Sequence, residues 1–160
     1  MGDETELPVG FDRARAGLAR LARGDWLSTA SAEAYGAGLA DLVLVGPPGW
    51  VPGESRLVEV RSQDLVIGAE ASVLALRWEA IGAAGRLFPA LDADVTLTSA
   101  GEYTTLLRLA GAYRPPLGRL GAGIDQVTLH RVAGATIRAF MNRLAQAIAE
   151  APRAETPAGQ

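Results

Sequence analysis

Residues 91–113 read LDADVTLTSAGEYTTLLRLAGAY, and the fold turns on how this stretch pairs with itself. Leu91, Ala93, Val95 and Leu97 alternate with Asp92, Asp94, Thr96 and Thr98. Successive side chains of a strand point to opposite faces, so this is a strand with one apolar and one solvated face. Ser99-Ala100-Gly101-Glu102 then predicts a hairpin turn leading into a second strand, Tyr103 to Tyr113. A one-residue slip in that turn would exchange the faces of the second strand. A two-residue loop sets Arg108 on the face of Leu91, Ala93 and Val95. A three-residue loop with Gly101 as a left-handed bulge sets Leu107, Leu109 and Tyr113 there instead. The second register is expected, because it keeps a guanidinium out of an apolar face.

Working back from the hairpin, residues 82–89 read as a glycine-interrupted loop. Residues 71–81 alternate again, with Leu74, Leu76 and Trp78 on one face and Arg77 and Glu79 on the other. Val58 and Val60 alternate with Glu59 and Arg61, after Gly46-Pro47-Pro48-Gly49 has ended a short apolar run, Leu42 to Val45. Before that the period is helical: Phe11, Ala14, Leu18, Leu21 and Ala22 recur at spacings of three and four. Ser31 is a plausible N-cap for a second short helix ending near Gly36 to Gly38, and residues 4–9 suggest a short first strand.

Working forward, Arg114 must be extended because a proline follows it, which puts it on the outward or rim side. Pro115-Pro116 then stop the strand. A final helix is expected from about Arg119 to Glu150, with Leu129, Val132, Ala133, Thr136, Ile137, Phe140, Leu144 and Ile148 on one stripe and Arg131, Arg138 and Asn142 opposite. The order is strand, two helices, five or six antiparallel strands, one long helix. Helices and strands are segregated, so the class is α+β. One domain over residues 1–151 is expected, with 152–160 as a flexible tail. The C-terminal helix is the element long enough to cover the apolar face of the sheet.

Composition narrows the chemistry. Among 160 residues there is no cysteine and one histidine, and all 15 basic residues are arginine. Thiol catalysis, cysteine-ligated zinc, histidine-rich metal sites and lysine Schiff bases are therefore excluded, and no cofactor is expected. A net charge of −3 and a pI near 5.2 argue against a nucleic-acid partner. No apolar run approaches the ~20 residues of a membrane span, and the acidic start MGDETE lacks the pattern of a signal peptide. A cytoplasmic protein is expected, with self-association into a homo-oligomer left open.

The stretches LRWEAIGAAGRLFPALDADVTLTSAG (76–101), TTLLRLAGAYRPPLG (104–118) and LHRVAGATIRAFMNRLAQAI (129–148), in this order, resemble the START-like or SRPBCC superfamily. That superfamily includes the polyketide cyclase/lipid-transport group and the birch-pollen-allergen relatives, and the likeness looks closest to actinobacterial members. It covers most of the chain, from about Glu4 to Glu150. The resemblance implies a helix-grip fold: a curved antiparallel sheet wrapped around a long C-terminal helix, with a cavity between them for a lipid, sterol or polyketide-like molecule. It also implies that some relatives are cyclases or aromatases while others only bind.

The expected lining of that cavity is Leu74, Leu76, Trp78, Phe88, Val95, Leu97, Leu107, Leu109, Tyr113, Arg114, Thr136 and Phe140. Trp78 and Tyr113 each join an apolar body to a polar tip, which suits orientation of a ligand with few polar atoms. A catalytic alternative would use Tyr113, Arg114 or His130 as proton donors or oxyanion stabilisers. His130 has no carboxylate at three or four residues' distance, since Gln126, Val127, Ala133 and Gly134 fill those places. Asp92 and Asp94 share a strand face but belong to the solvated one. Arg77, Arg86, Arg108 and Arg114 read as surface cations pairing with Asp92, Asp94 or Glu79, with Arg86 and Arg114 the best placed to meet a ligand anion. Gly121-Ala-Gly123 mimics a dinucleotide fingerprint but lacks the third glycine and the following parallel strand. A binding protein is therefore expected, with no catalytic residue and no metal.

Overall fold

In a computed structural model the structure describes residues 2–45, 57–81, 90–114 and 126–150. Strand β1 (Gly2–Leu7) leads into helices α1 (Phe11–Arg23) and α2 (Trp26–Val45). Strands β2 (Leu57–Ile67), β3 (Ala71–Ile81), β4 (Ala90–Gly101) and β5 (Thr104–Arg114) follow, then helix α3 (Gln126–Ala149). The strands form one antiparallel sheet in the order β1-β5-β4-β3-β2. The three helices pack on one face of it.

The hairpin register has the expected parity. Leu91 pairs with Tyr113, Val95 with Leu109 and Leu97 with Leu107, while Arg108 pairs with Thr96 on the outer face. The turn itself sits two residues later than expected. Gly101 pairs with Thr104, Glu102 and Tyr103 form the tip, and the irregularity falls between Ser99 and Gly101. Gly101 does not take up the left-handed backbone. One unpaired residue, Ala100, does the work expected of a three-residue loop, because either device shifts the register by one and restores Leu107 and Leu109 to the core face.

Burial alternates along the sheet as the pattern requires. Leu74, Leu76 and Trp78 of β3, Ala93, Val95 and Leu97 of β4, and Leu107 and Leu109 of β5 are buried, and Leu7 of β1 joins them. On α3 the buried stripe is Thr136, Ile137, Phe140, Met141, Leu144 and Ile148, with Arg131, Arg138 and Asn142 exposed. The first seven residues of the expected helix, 119–125, lie outside the described residues, as does the tail from 151.

The helical part corrects two expectations. Ser31 does not start a helix, and the helix does not end near Gly36 to Gly38: α2 runs unbroken through them and through the apolar run Leu42 to Val45. Its start is at Asp25, whose carbonyl accepts from the backbone N–H of Thr29 at 3.1 Å and from the Thr29 hydroxyl at 3.2 Å. Leu27, Ala30, Ser31 and Ala34 make a buried stripe at helical spacing. Packing of that stripe against α3 outweighs the roughly 1 kcal/mol that each interior glycine costs. Four apolar residues in isolation suit helix or strand equally. A consequence is that α2, at 20 residues, shares with α3 the covering of the sheet. The first strand is also shifted, beginning at Gly2 and ending at Leu7.

At the turn end of the sheet α1 closes the core. The Thr105 hydroxyl donates to the Val9 carbonyl at 2.8 Å, and a Cβ on Gly10 would stand 2.8 Å from the Glu102 carbonyl. Arg13 donates to the Ala149 carbonyl at 3.2 Å, holding the C-terminal end of α3 at this end of the molecule. Arg143 and Glu33 form an ion pair between α3 and α2.

Two glycines give opposite expectations. A Cβ on Gly68, in the β2–β3 turn, would lie 2.7 Å from the Ala71 carbonyl oxygen, a backbone atom that already accepts from the Gly68 N–H. Gly68→Ala should lose about 1–3 kcal/mol. A Cβ on Gly36 meets nothing within 4 Å and sits inside α2. Gly36→Ala should gain about 0.5–1 kcal/mol. Urea unfolding of the two variants checks both; destabilisation by Gly36→Ala would mean that the helix stops there.

Candidate functional site

The inner face of the sheet and the facing stripe of α3 enclose the core, and the core has two unlike ends. Toward the turns, Leu74, Leu97 and Leu107 are fully buried in the cluster that α1 completes with Ala14, Leu18 and Leu21. Toward the other end stand Leu76, Trp78, Val95 and Leu109, with Phe140 and Thr136 of α3. The Trp78 and Phe140 rings meet edge to face, centroids 5.1 Å apart and planes at 83°. This is the preferred geometry for two quadrupoles and pins β3 to α3.

The expected lining residues thus fall into groups. Trp78, Phe140 and Thr136 come together at one end. Leu76, Val95 and Leu109 form the adjoining wall, and Leu74, Leu97 and Leu107 belong to the closed, packed end. Tyr113 occupies an inner-face register position opposite Leu91, and Arg114 pairs with Ala90 in the alternate row. Phe88 and Arg86 lie outside the described residues. His130 is exposed on α3.

Charge stands mostly on the other surface; Asp3 of β1, half-buried and paired with Leu109 in an inner-face row, is an exception. Among the described residues, no carboxylate, arginine or histidine belongs to the inner-face rows of β3, β4 and β5 or to the buried stripe of α3. Arg77 sits across from Asp92 on the outer face with nitrogen and oxygen 3.7 Å apart, both about two-thirds buried. An ion pair of this kind contributes little stability. Arg108 is exposed in the same outer rows.

An open depression of about 1130 Å³ also lies on this outer face, on a floor of small residues (Ala75, Ala110) between Arg77, Asp92, Asp94 and Arg108. It is wide open to water and carries charges, so it would shelter no apolar molecule. A second open groove of about 1040 Å³ runs between the N-terminus of α1 and the hairpin tips, past Phe11, Glu70, Glu102 and Tyr103. Tyr103 is exposed there, its phenol raised above the ordinary tyrosine value by a hydrogen bond to the Glu102 side chain. Among the described residues no group of three His, Asp or Glu side chains could hold a metal ion, and no helix is long and apolar enough to cross a membrane.

What sequence reasoning missed is the state of two polar atoms. Trp78 Nε1 and Thr136 Oγ1 are buried without a hydrogen-bond partner. Trp78 stands out in the sequence for its polar tip, but whether that tip finds a partner depends on neighbours from other elements.

An open antiparallel sheet with a long C-terminal helix on its apolar face defines an α+β protein of helix-grip architecture. Among solved structures the chain is similar to a conserved protein from Geobacillus kaustophilus, at 15% identity and a TM-score of 0.51, over 93% of this chain and 94% of that one. It is also similar to the di-domain aromatase/cyclase StfQ of the steffimycin biosynthetic pathway, at 12% identity and a TM-score of 0.41, covering 93% of this chain and 45% of that one. A third likeness is to norcoclaurine synthase from Thalictrum flavum, at 15% identity and a TM-score of 0.38, over 89% of this chain and 94% of that one. No family model matches the chain, and no curated protein matches its sequence. At 15% identity the likeness to the Geobacillus kaustophilus protein is one of fold.

Proposed function

We propose that this chain is a cytoplasmic, START-like binding protein that holds a hydrophobic small molecule between its sheet and α3, at the end marked by Trp78, Phe140 and Thr136. One observation carries the reading. The described inner wall of β3, β4, β5 and α3 is apolar, with polar groups that can orient a ligand, and the carboxylate in an inner-face row, Asp3, belongs to the edge strand β1. A general acid or base must reach the reacting atom within hydrogen-bond distance. Apart from Asp3 and the half-buried Arg13, the described charged side chains stand on the outer sheet face and the solvent side of the helices. An apolar wall with a few donors fits a molecule that is mostly hydrocarbon or aromatic.

Titration with a sterol, a long-chain fatty acid and a three-ring aromatic polyketide analogue tests this. Saturable binding of at least one class is expected, with a change in tryptophan fluorescence that Trp78→Phe removes although Trp26 and Trp50 remain. Absence of saturable binding in every class by equilibrium dialysis would defeat the reading.

A further inference from the structure

Trp78 Nε1 and Thr136 Oγ1 share one interior. Both residues are more than nine-tenths buried, at 6% and 7% exposure, and neither polar atom has a partner. Trp78 touches α3 at Phe140, and Thr136 precedes Phe140 by four residues on the same buried stripe, about 6 Å along the helix axis. A threonine in a helix can turn its hydroxyl back to a carbonyl of the preceding turn. This one does not. The hydroxyls of Ser72 and Ser31 also lack partners, but they stand apart from this pair. Ser72 is six residues from Trp78 along β3, roughly 20 Å, and Ser31 is on α2.

We infer that these two groups receive a neutral acceptor oxygen of the ligand, such as a ketone, ester or quinone carbonyl, with Trp78 Nε1–H and Thr136 Oγ1–H both donating to it. The inference rests on the binding reading above and narrows it. An indole N–H can only donate, and a hydroxyl can donate as well. A carbonyl oxygen has two lone pairs and can accept from both. The oxygen should be neutral, because among the described residues of this interior no cation is present to compensate a buried carboxylate. Fatty acids are thereby placed below ketones and esters of the same bulk.

Three probes of one shape separate the possibilities: 9-fluorenone, fluorene and fluorene-9-carboxylate, each measured by equilibrium dialysis with absorbance detection. Fluorenone should bind about tenfold more tightly than fluorene, the scale of a buried hydrogen bond made or lost. The carboxylate should bind most weakly. Thr136→Val, which keeps the side chain's shape, and Trp78→Phe should each erase most of the fluorenone-to-fluorene affinity ratio, read within each variant so that any general change in affinity cancels. In protein with 15N-labelled indole, the N–H resonance missing from Trp78→Phe should move downfield with fluorenone and stay in place with fluorene. Equal affinity for fluorenone and fluorene, tightest binding of the carboxylate, or a preference that survives Thr136→Val would overturn the inference and leave binding itself standing. Failure of all three probes while a sterol or fatty acid binds saturably would overturn the inference alone, and failure of those ligands as well would overturn both.

Discussion

Phe140→Ala should destabilise the protein by about 3–5 kcal/mol, the range found when a large buried aromatic is cut back and its site cannot collapse. Among the described residues Phe140 is the largest of the fully buried side chains, and it sits where α3 meets the sheet. Its loss removes the edge-to-face contact with Trp78, worth about 0.5–1.5 kcal/mol beyond area, and opens a void flanked by Met141, Leu144 and the β3 wall. The variant should show a lower urea midpoint with an unchanged slope, which marks lost stability rather than an altered denatured state. Trp78 fluorescence should shift to the red as water reaches the indole. A cost below about 1 kcal/mol would mean that the void refills, and hence that α3 is not held against β3 by this pair.

The second large effect comes from one step along β5. Leu107→Asp should cost at least about 4 kcal/mol and leave little folded protein, because an unpaired charge would enter a face with no cation to meet it. Leu107 is completely buried and pairs with Leu97 across the hairpin. Arg108→Gln, one residue on, should stay within about 0.5 kcal/mol of the parent. Its side chain is exposed on the outer rows, opposite Thr96 and Glu4. Circular dichroism at increasing temperature reads both. Similar losses in the two variants would mean that the register differs from the one described. The contrast also separates the rival interiors, since the alternative register would have turned Arg108 inward and favoured catalysis.

The hairpin shows how much could be read in advance. Leu91, Ala93, Val95 and Leu97 announce a two-sided strand, and the cost of burying Arg108 chooses between two registers without any coordinates. The exact turn could not be chosen, because Ser99 to Tyr103 offer several ways to add one residue and all satisfy the same parity. Helix α2 shows the converse. Gly36 and Gly38 are local helix breakers and Ser31 is a good cap, so local chemistry points to a short helix. The stripe Leu27, Ala30, Ser31 and Ala34 becomes meaningful once α3 lies beside it, and α3 is about a hundred residues away.

The site divides along the same line. The apolar rows of β3, β4 and β5 and the stripe of α3 were legible as a buried inner face, because burial follows periodicity. That α1 completes the cluster around Leu74, Leu97 and Leu107 was not legible, because α1 has no local link to those strands. Nor could sequence show that Trp78 Nε1 and Thr136 Oγ1 go unpaired.

By itself, then, the sequence determined the class of fold, the two faces of each strand and the absence of thiol, lysine and histidine-cluster chemistry. These depend on composition and on periods of two and 3.6 residues, which are properties of neighbouring positions. Tertiary structure alone decided the length of α2, the closure of one end of the core by α1, and the meeting of Trp78 with Phe140 beside Thr136. Those outcomes are set by packing and hydrogen-bond geometry between distant segments, where the free-energy difference between a satisfied and an orphaned donor depends on positions that no local pattern encodes.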